Sequence, residues 1–280
     1  MFCLNSIATF KKERTTPNTE MEIKTLSKSE DKLRFLIKGI DSTVANTLRR
    51  VLITEIPILA IQTVTFVKNS SALFDEVVAH RLGLIPLNAD IKDFDDSKEC
   101  SCKGKGCGKC TVTFTLTAEG PLTVYAEDLK CSDDKVKTIH GKMPIVKLLK
   151  GQELEFEAVA TLGKGLDHAK YTPCLPHYQG YPKITFDKVK NAEEVIKECP
   201  DEVFELSGKT LKVKNLENCT LCGACEAASE GTVKCTGSEE DFIFSIESWG
   251  QMSPKALFDR ALEVLESKVD DFGAALSKAK

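Results

Sequence analysis

Seven of the 12 cysteines in this 280-residue sequence fall in two short runs whose spacing suits metal ligands better than disulfide partners. In the first, Cys100-Ser-Cys102 and Cys107-Gly-Lys-Cys110 are two close pairs separated by Lys103, Gly104, Lys105 and Gly106. Four thiolates can close a tetrahedral shell around zinc, each pair giving two ligands from one tight turn. The glycines permit the positive φ that so small a radius requires, and the lysines offset the charge of a tetrathiolate and favour thiolates. The run holds no histidine or carboxylate and every position is filled, so the expected site is closed and structural; catalytic zinc keeps an open position. Two other readings stand beside it. Four unrelated loop cysteines are disfavoured because exposed free thiols are avoided, and a nucleic-acid knuckle lacks aromatic residues for stacking between Cys100 and Cys110.

The second run, Cys219-Thr-Leu-Cys222-Gly-Ala-Cys225, is the C-x2-C-x2-C arc that wraps one side of a cubane cluster in bacterial ferredoxins. Ser229 stands where the fourth cysteine would follow, and the dipeptide Cys199-Pro200 lies upstream. In the two-cluster ferredoxin pattern the cysteine before proline ligates the cluster of the other half. One [4Fe-4S] cluster on Cys199, Cys219, Cys222 and Cys225 is therefore expected, with a [3Fe-4S] form left open and Cys235 in reserve as fourth ligand. A second zinc site is the competing occupant, because such thiolate sets also suit zinc. Cys3, Cys131 and Cys174 have no partner in sequence and read as structural or free thiols.

The elements that must position these runs belong to a chain whose length predicts roughly two domains and whose 42% hydrophobic residues suffice for a core. The 38 basic and 42 acidic side chains leave a net charge of -4, which argues against a chain that binds DNA by itself. No apolar run approaches the roughly 18 to 20 residues that span a bilayer, and the first ten residues lack the order of a secretory signal. The chain reads as cytoplasmic, where clustered cysteines serve metals. Residues 1–20 read as a disordered tail. Alternation from Ile23 to Ile40 predicts a hairpin, with Leu33, Phe35 and Ile37 inward. Val44, Leu48, Val51 and Leu52 predict a helix that ends before Pro57, and Ile58 to Val67 a strand buried on both faces. A second helix is expected from Ala72 to Leu82, capped by Ser70 or Ser71, and strands at 112–116, 122–125, 145–149, 154–158, 184–186 and 242–246. Ser253 and Pro254 open a last helix to Ala279, along which Phe258, Leu262, Leu265, Val269, Phe272 and Leu276 form an apolar seam at heptad spacing. By pattern alone the seam fits a partner helix and the chain's own sheet about equally.

Five motifs in order make a resemblance specific: Asn46-Thr-Leu-Arg-Arg-Val-Leu-Ile-Thr-Glu-Ile-Pro57, Ala79-His-Arg-Leu-Gly-Leu-Ile-Pro-Leu87, the first cysteine run, Gly165-Leu-Asp-His-Ala-Lys-Tyr-Thr-Pro173 and the ferredoxin-like run. From about Met21 to the C-terminus the sequence resembles the α-like assembly subunits of cellular RNA polymerases, most of all the archaeal members of that family, relatives of the eukaryotic third-largest subunit. The resemblance implies an α+β fold. A split α-like dimerisation domain would comprise 21–57 and 238–280, with an inserted mostly-β domain carrying the zinc loop over 58–187 and a ferredoxin-like iron-sulfur module over 188–237. It implies pairing of the C-terminal seam with the small subunit L, then recruitment of subunits N and P and the second-largest subunit, with DNA reached only through the complex. Arg49 and Arg50 would present charge to a large subunit, a role that suits arginine's planar fork, and Arg81 is assigned similarly. His80 and His168 read as structural, because no nucleophile and carboxylate accompany them.

The function expected is a non-catalytic assembly scaffold of DNA-directed RNA polymerase. Nucleotidyl transfer needs carboxylate-bound magnesium, and Asp93, Asp95 and Asp96 read simply as an acidic loop. The alternative, a ferredoxin-like electron carrier or redox enzyme subunit, explains only about fifty residues.

Overall fold

A computed structural model describes residues 21–208 and 210–279. The stretch 1–20 and Cys3 lie outside them, so the expectations for both stay untouched. In chain order the strands and helices are β1 (Glu22–Lys28), β2 (Lys32–Lys38), α1 (Ser42–Thr54), β3 (Pro57–Asn69), α2 (Asp75–Gly83), β4 (Leu87–Asn88), β5 (Thr111–Glu119), β6 (Leu122–Tyr125), β7 (Lys130–Cys131), β8 (Lys137–Thr138), β9 (Pro144–Leu148) and β10 (Glu153–Lys164). There follow β11 (Cys174–Thr185), α3 (Ala192–Glu198), β12 (Phe204–Ser207), β13 (Thr210–Val213), α4 (Ala224–Ala228), β14 (Lys234–Ser248) and α5 (Pro254–Lys278). The architecture is mixed α and β with sheet predominating. No helix among the described residues is long and apolar enough to cross a membrane.

The chain divides into two compact units. The larger takes Thr25–Phe35, Ser42–Gln179 and the described residues from Ile243 onward. Its main sheet has the order β3-β10-β5-β7, with β10 antiparallel to both long neighbours. Period-two alternation puts Leu154, Phe156, Ala158 and Ala160 of β10 on one face, and Val112, Phe114 and Leu116 of β5 align with them. These residues join Leu59, Ile61, Val78, Leu82 and Ile145 in one core. Each large side chain withdrawn there contributes about 1.5–3 kcal/mol. The other face of β3 is covered at Ile58 and Ala60 by Tyr171. Burial on both faces stops at Ile61, short of the expected Val67, which is 70% exposed.

Helix α1 turns Ala45, Leu48, Val51 and Leu52 inward and leaves Val44 exposed, a small rotation from the expected face. In β2 Leu36 is buried along with Phe35 and Ile37, so the strand is covered on both sides there. Helix α2 starts at Asp75 instead of Ala72, and no side chain caps it. The serines expected to cap it are engaged elsewhere. Ser70 Oγ exchanges hydrogen bonds with the backbone of Glu153 on β10, and Asn69 holds Ser71 in a turn by accepting from its N–H and Oγ. An aromatic column of Tyr178, Phe244, Phe35 and Phe258 links β11, β14, β2 and α5, with ring centroids 5.0–5.6 Å apart. Ser253 Oγ accepts the Ala256 N–H and caps α5 as expected.

The smaller unit comprises Gly180–Phe242, Leu36–Asp41 and described residues up to Lys24. Its core gathers Ala192, Val195, Val203, Phe204, Leu211, Cys219, Cys225 and Val233. Along the chain, the end of β11, α3, the hairpin β12-β13, α4 and the start of β14 follow one another as strand, helix, two strands, helix, strand.

Candidate metal centres

The first cysteine run lies between the acidic loop and β5 and folds as successive tight turns. Cys100 N–H donates to Asp96 O at 2.9 Å, Lys103 N–H to Cys100 O at 2.9 Å, and both Cys110 and Thr111 N–H to Cys107 O at 2.9 Å. Lys103, Gly104 and Gly106 all adopt left-handed backbone, a conformation that glycine alone enters at no steric cost. Thr111 is the first residue of β5, so the loop hangs directly from the main sheet.

The turns converge the four thiols, whose Sγ atoms all lie within 4.8 Å of one another. The Cys100–Cys107, Cys102–Cys110 and Cys107–Cys110 separations are 3.6, 3.5 and 3.8 Å. A tetrahedron with metal–sulfur bonds of about 2.3 Å has edges of about 3.8 Å, so the thiols already have the dimensions of a mononuclear tetrathiolate. Burial opposes ionisation of Cys102, but hydrogen bonds from Cys110, Cys100 and the N–H groups of Gly106 and Gly104 bring its pKa down to about 7. Burial pushes Cys110 up to about 12. Cys100 is also raised: the N–H of Cys102 favours its thiolate, and burial and the neighbouring thiols outweigh it. Hydrogen bonding thus leads in activating Cys102, where the sequence pointed to lysine charge.

The second run occupies the smaller unit. Cys199 follows α3, Cys219 follows a single turn at Leu216–Asn218, and Cys225 lies in α4. Leu221 and Gly223, in left-handed backbone, bracket the exposed Cys222. Cys219 and Cys225 are buried. The Cys225 thiol is raised by burial and then by charge on Cys219, Cys199 and Cys222, so the four expected ligands share one electrostatic neighbourhood. Among the described residues, no three of them come mutually within the 4.8 Å that the first run achieves. Ser229 is buried and structural: its Oγ donates to Glu226 O and accepts from Val233 N–H. Cys235 enters the neighbourhood from β14, with its Sγ 3.5 Å from that of Cys219. Cys174 is buried, its Sγ 3.8 Å from Leu52 O, and burial pushes it up to about 12. Cys131 is half-buried on β7.

The remaining candidates divide between scaffold and surface. Arg49 donates to Asn46 Oδ1 at 2.9 and 3.2 Å, one turn back on α1, whereas Arg50 is exposed. Arg81 donates to Ile145 O at 2.7 Å, so part of its fork already ties α2 to β9. His80 is exposed, and His168 Nδ1 accepts the Lys170 N–H to cap a short turn. The motif at 165–173 is a bracket. Leu166 N–H donates to Thr54 O, Lys170 Nζ to Ile61 O at 3.0 Å, and Tyr171 Oη to Gln62 Oε1 at 2.8 Å. Along α5 the chain's own fold covers Pro254, Leu257 and Ala261, a stripe the seam reading missed, while Phe258 packs edge-on against Phe35. Leu265 is partly covered; Leu262, Val269, Phe272 and Leu276 are exposed at 44, 68, 68 and 56%. The stripe was available in the sequence as a second i, i+3, i+7 set including a small alanine.

Comparison with known proteins agrees with this architecture. Residues 60–175 match the family described as the RNA polymerase Rpb3/RpoA insert domain. A protein of Methanosphaera stadtmanae named DNA-directed RNA polymerase subunit Rpo3 is 40% identical over 264 residues, covering 90% of this chain and 97% of the relative. Those of the same name from Archaeoglobus fulgidus and Thermococcus kodakarensis are 34% and 36% identical, each over 92% of this chain and 98% of the relative. The chain belongs to the Rpo3 family. An Rpo3-family chain is a non-catalytic assembly subunit of the polymerase, and matches that run through both units leave no support for a free-standing electron carrier. Within the Rpo3 framework the four-cysteine loop lies inside the matched insert domain, and the second run lies outside it.

Proposed function

We propose that this chain nucleates polymerase assembly by pairing through α5 with subunit L, and that the pair then recruits subunits N and P and the second-largest subunit. The observation that carries this reading is the seam. Val269, Phe272 and Leu276 project from the second half of a 25-residue helix whose first half alone is buried in its own fold. Apolar side chains repeated at heptad spacing on an exposed helix call for a second helix. Arg50, and the donors of Arg49 and Arg81 left over from their internal bonds, suit carboxylates of a large subunit. The split dimerisation domain at 21–57 and 238–280, the insert at 58–187 and the module at 188–237 complete the reading, with the assembled enzyme in the cytoplasm.

Zinc is the proposed occupant of Cys100, Cys102, Cys107 and Cys110, supported by thiol separations near a tetrahedral edge and by the lack of any open position. It would lock the loop onto β5 and take no part in chemistry. A single [4Fe-4S] cluster, or its [3Fe-4S] form, is proposed for Cys199, Cys219, Cys222 and Cys225. The strand-helix-strand-strand-helix-strand order is that of ferredoxin-like modules. Four thiols that share a neighbourhood, yet are spread beyond the span of a mononuclear site, favour a cluster over a second zinc.

Co-expression with subunit L tests the assembly reading. A 1:1 heterodimer on size-exclusion chromatography is expected; a soluble monomer that ignores the small subunit overturns it. Anaerobic purification followed by metal and sulfide analysis is expected to give one zinc and about four irons per chain.

A further inference from the structure

Cys235 is left over by the proposed ligand set, yet its Sγ lies 3.5 Å from that of Cys219. The two sulfurs come from separate segments held together by more than this contact. Cys219 is fixed by its N–H to Leu216 O at 3.1 Å, and Cys235, at the start of β14, by its N–H to Glu226 Oε1 at 2.7 Å. At Gly237, two residues further along β14, an added Cβ would meet Leu221 Cδ1 at 3.2 Å, so the strand is seated against the cysteine arc itself. A disulfide requires sulfurs about 2.0 Å apart. Closing the gap requires the two side chains to rotate toward each other on these backbones.

We propose that Cys219 and Cys235 are a redox pair: in the cluster-free chain they close a disulfide that withholds Cys219 from iron until it is reduced. The inference rests on the reading of Cys219 as a cluster ligand. The bond forms by thiol–disulfide exchange with a small disulfide such as oxidised glutathione. One cysteine thiolate attacks it, forming a mixed disulfide and releasing one glutathione thiol. The second cysteine displaces the other, so two protein thiols and one small disulfide become one protein disulfide and two small thiols. Cys219 cannot bind iron and Cys235 at once, so loading protects the pair from oxidation and oxidation blocks loading. Cluster insertion then depends on thiol redox poise as well as on iron and sulfide.

The test uses the full chain with its cluster removed anaerobically. The reduced chain is first given ferrous iron and sulfide; uptake of about four irons is expected, and failure at this step overturns the ligand reading and the inference with it. A second portion is treated with oxidised glutathione and mapped by non-reducing peptide mass spectrometry. A Cys219–Cys235 linkage is expected, with cluster uptake abolished until dithiothreitol is added. Cys235→Ser, and Cys235→Ala as a second variant, are expected to load equally well before and after the oxidant. Linkage of Cys219 to Cys222 or Cys225 overturns the inference while leaving the ligand reading intact, as do variants that lose uptake after oxidation just as the parent does. Variants unable to load even when reduced would make Cys235 a ligand and also overturn it.

Discussion

Lys268, in the middle of α5, donates to Glu55 Oε1 at 2.6 Å, and Glu55 sits just beyond α1 with only 15% of its side chain exposed. Lys164 Nζ approaches the other carboxylate oxygen at 3.9 Å, so one acidic group ties α5 to the point where α1 hands over to β3. This contact orients the half of α5 whose apolar side chains face solvent. Lys268 is itself half exposed, which keeps the pair near the upper end of the surface range. Glu55→Gln is expected to cost about 0.5–1 kcal/mol and to lower Tm by roughly 1–4 °C. Amide exchange across 262–278 should quicken in the variant; unchanged exchange would show that the pair does not hold the helix.

Helix α5 separates stability from assembly by face. Phe272 is 68% exposed, so Phe272→Asp should leave the isolated chain within about 0.5 kcal/mol of the parent. The same change should weaken pairing with subunit L by at least about 2 kcal/mol, roughly thirtyfold. Leu257→Ala should behave differently. Leu257 is fully buried, and its truncation should cost the isolated chain about 2–5 kcal/mol. Thermal melts of the single chain and titration with the partner separate the two; equal effects on both assays for Phe272→Asp would place it in the chain's own core.

What the sequence disclosed followed from how locally each feature is encoded. The thiol tetrad was legible because its ligands lie within eleven residues and glycine marks the turns between them. The C-terminal helix was legible because Ser253, Pro254 and a long apolar period agree. The α2 start was misplaced because Ser70 and Ser71 answer to Glu153 and Asn69, and one of those partners is more than eighty residues away. Cys235 looked like a spare ligand for a comparable reason: its nearness to Cys219 depends on where β14 is seated. The role of Lys170 and Tyr171 was hidden because their partners, Ile61 and Gln62, lie on a strand over a hundred residues earlier.

Gly165 shows how closely that bracket is packed. A Cβ there would fall 2.0 Å from the carbonyl oxygen of Ile53, a backbone atom that cannot swing aside. Its neighbour Leu166 donates to Thr54 O, so the end of α1 and the motif are locked together. Gly165→Ala must shift one of them, and overpacking of this kind costs about 1–3 kcal/mol. A denaturant midpoint reduced accordingly, with the denaturant slope unchanged, is expected; wild-type stability would mean that the two segments part easily.

Metal uptake by the first cysteine run should depend steeply on pH, because binding requires thiolates. Cys102, at about 7, is about half ionised at neutrality and mostly ionised above it. Cys110, at about 12, and Cys100, raised above the ordinary thiol value, enter as thiols and must each give up a proton. Between pH 7.5 and 8.5 at least two protons should therefore leave per metal bound, and affinity should rise with pH by at least about two decades per unit. As pH falls through about 7 Cys102 enters increasingly protonated, so the dependence steepens. Competition against a chromophoric chelator at several pH values measures the slope, and a slope near zero would exclude thiol ligation. Cys102→Ser should weaken metal binding while removing the proton contribution that sets in below pH 7.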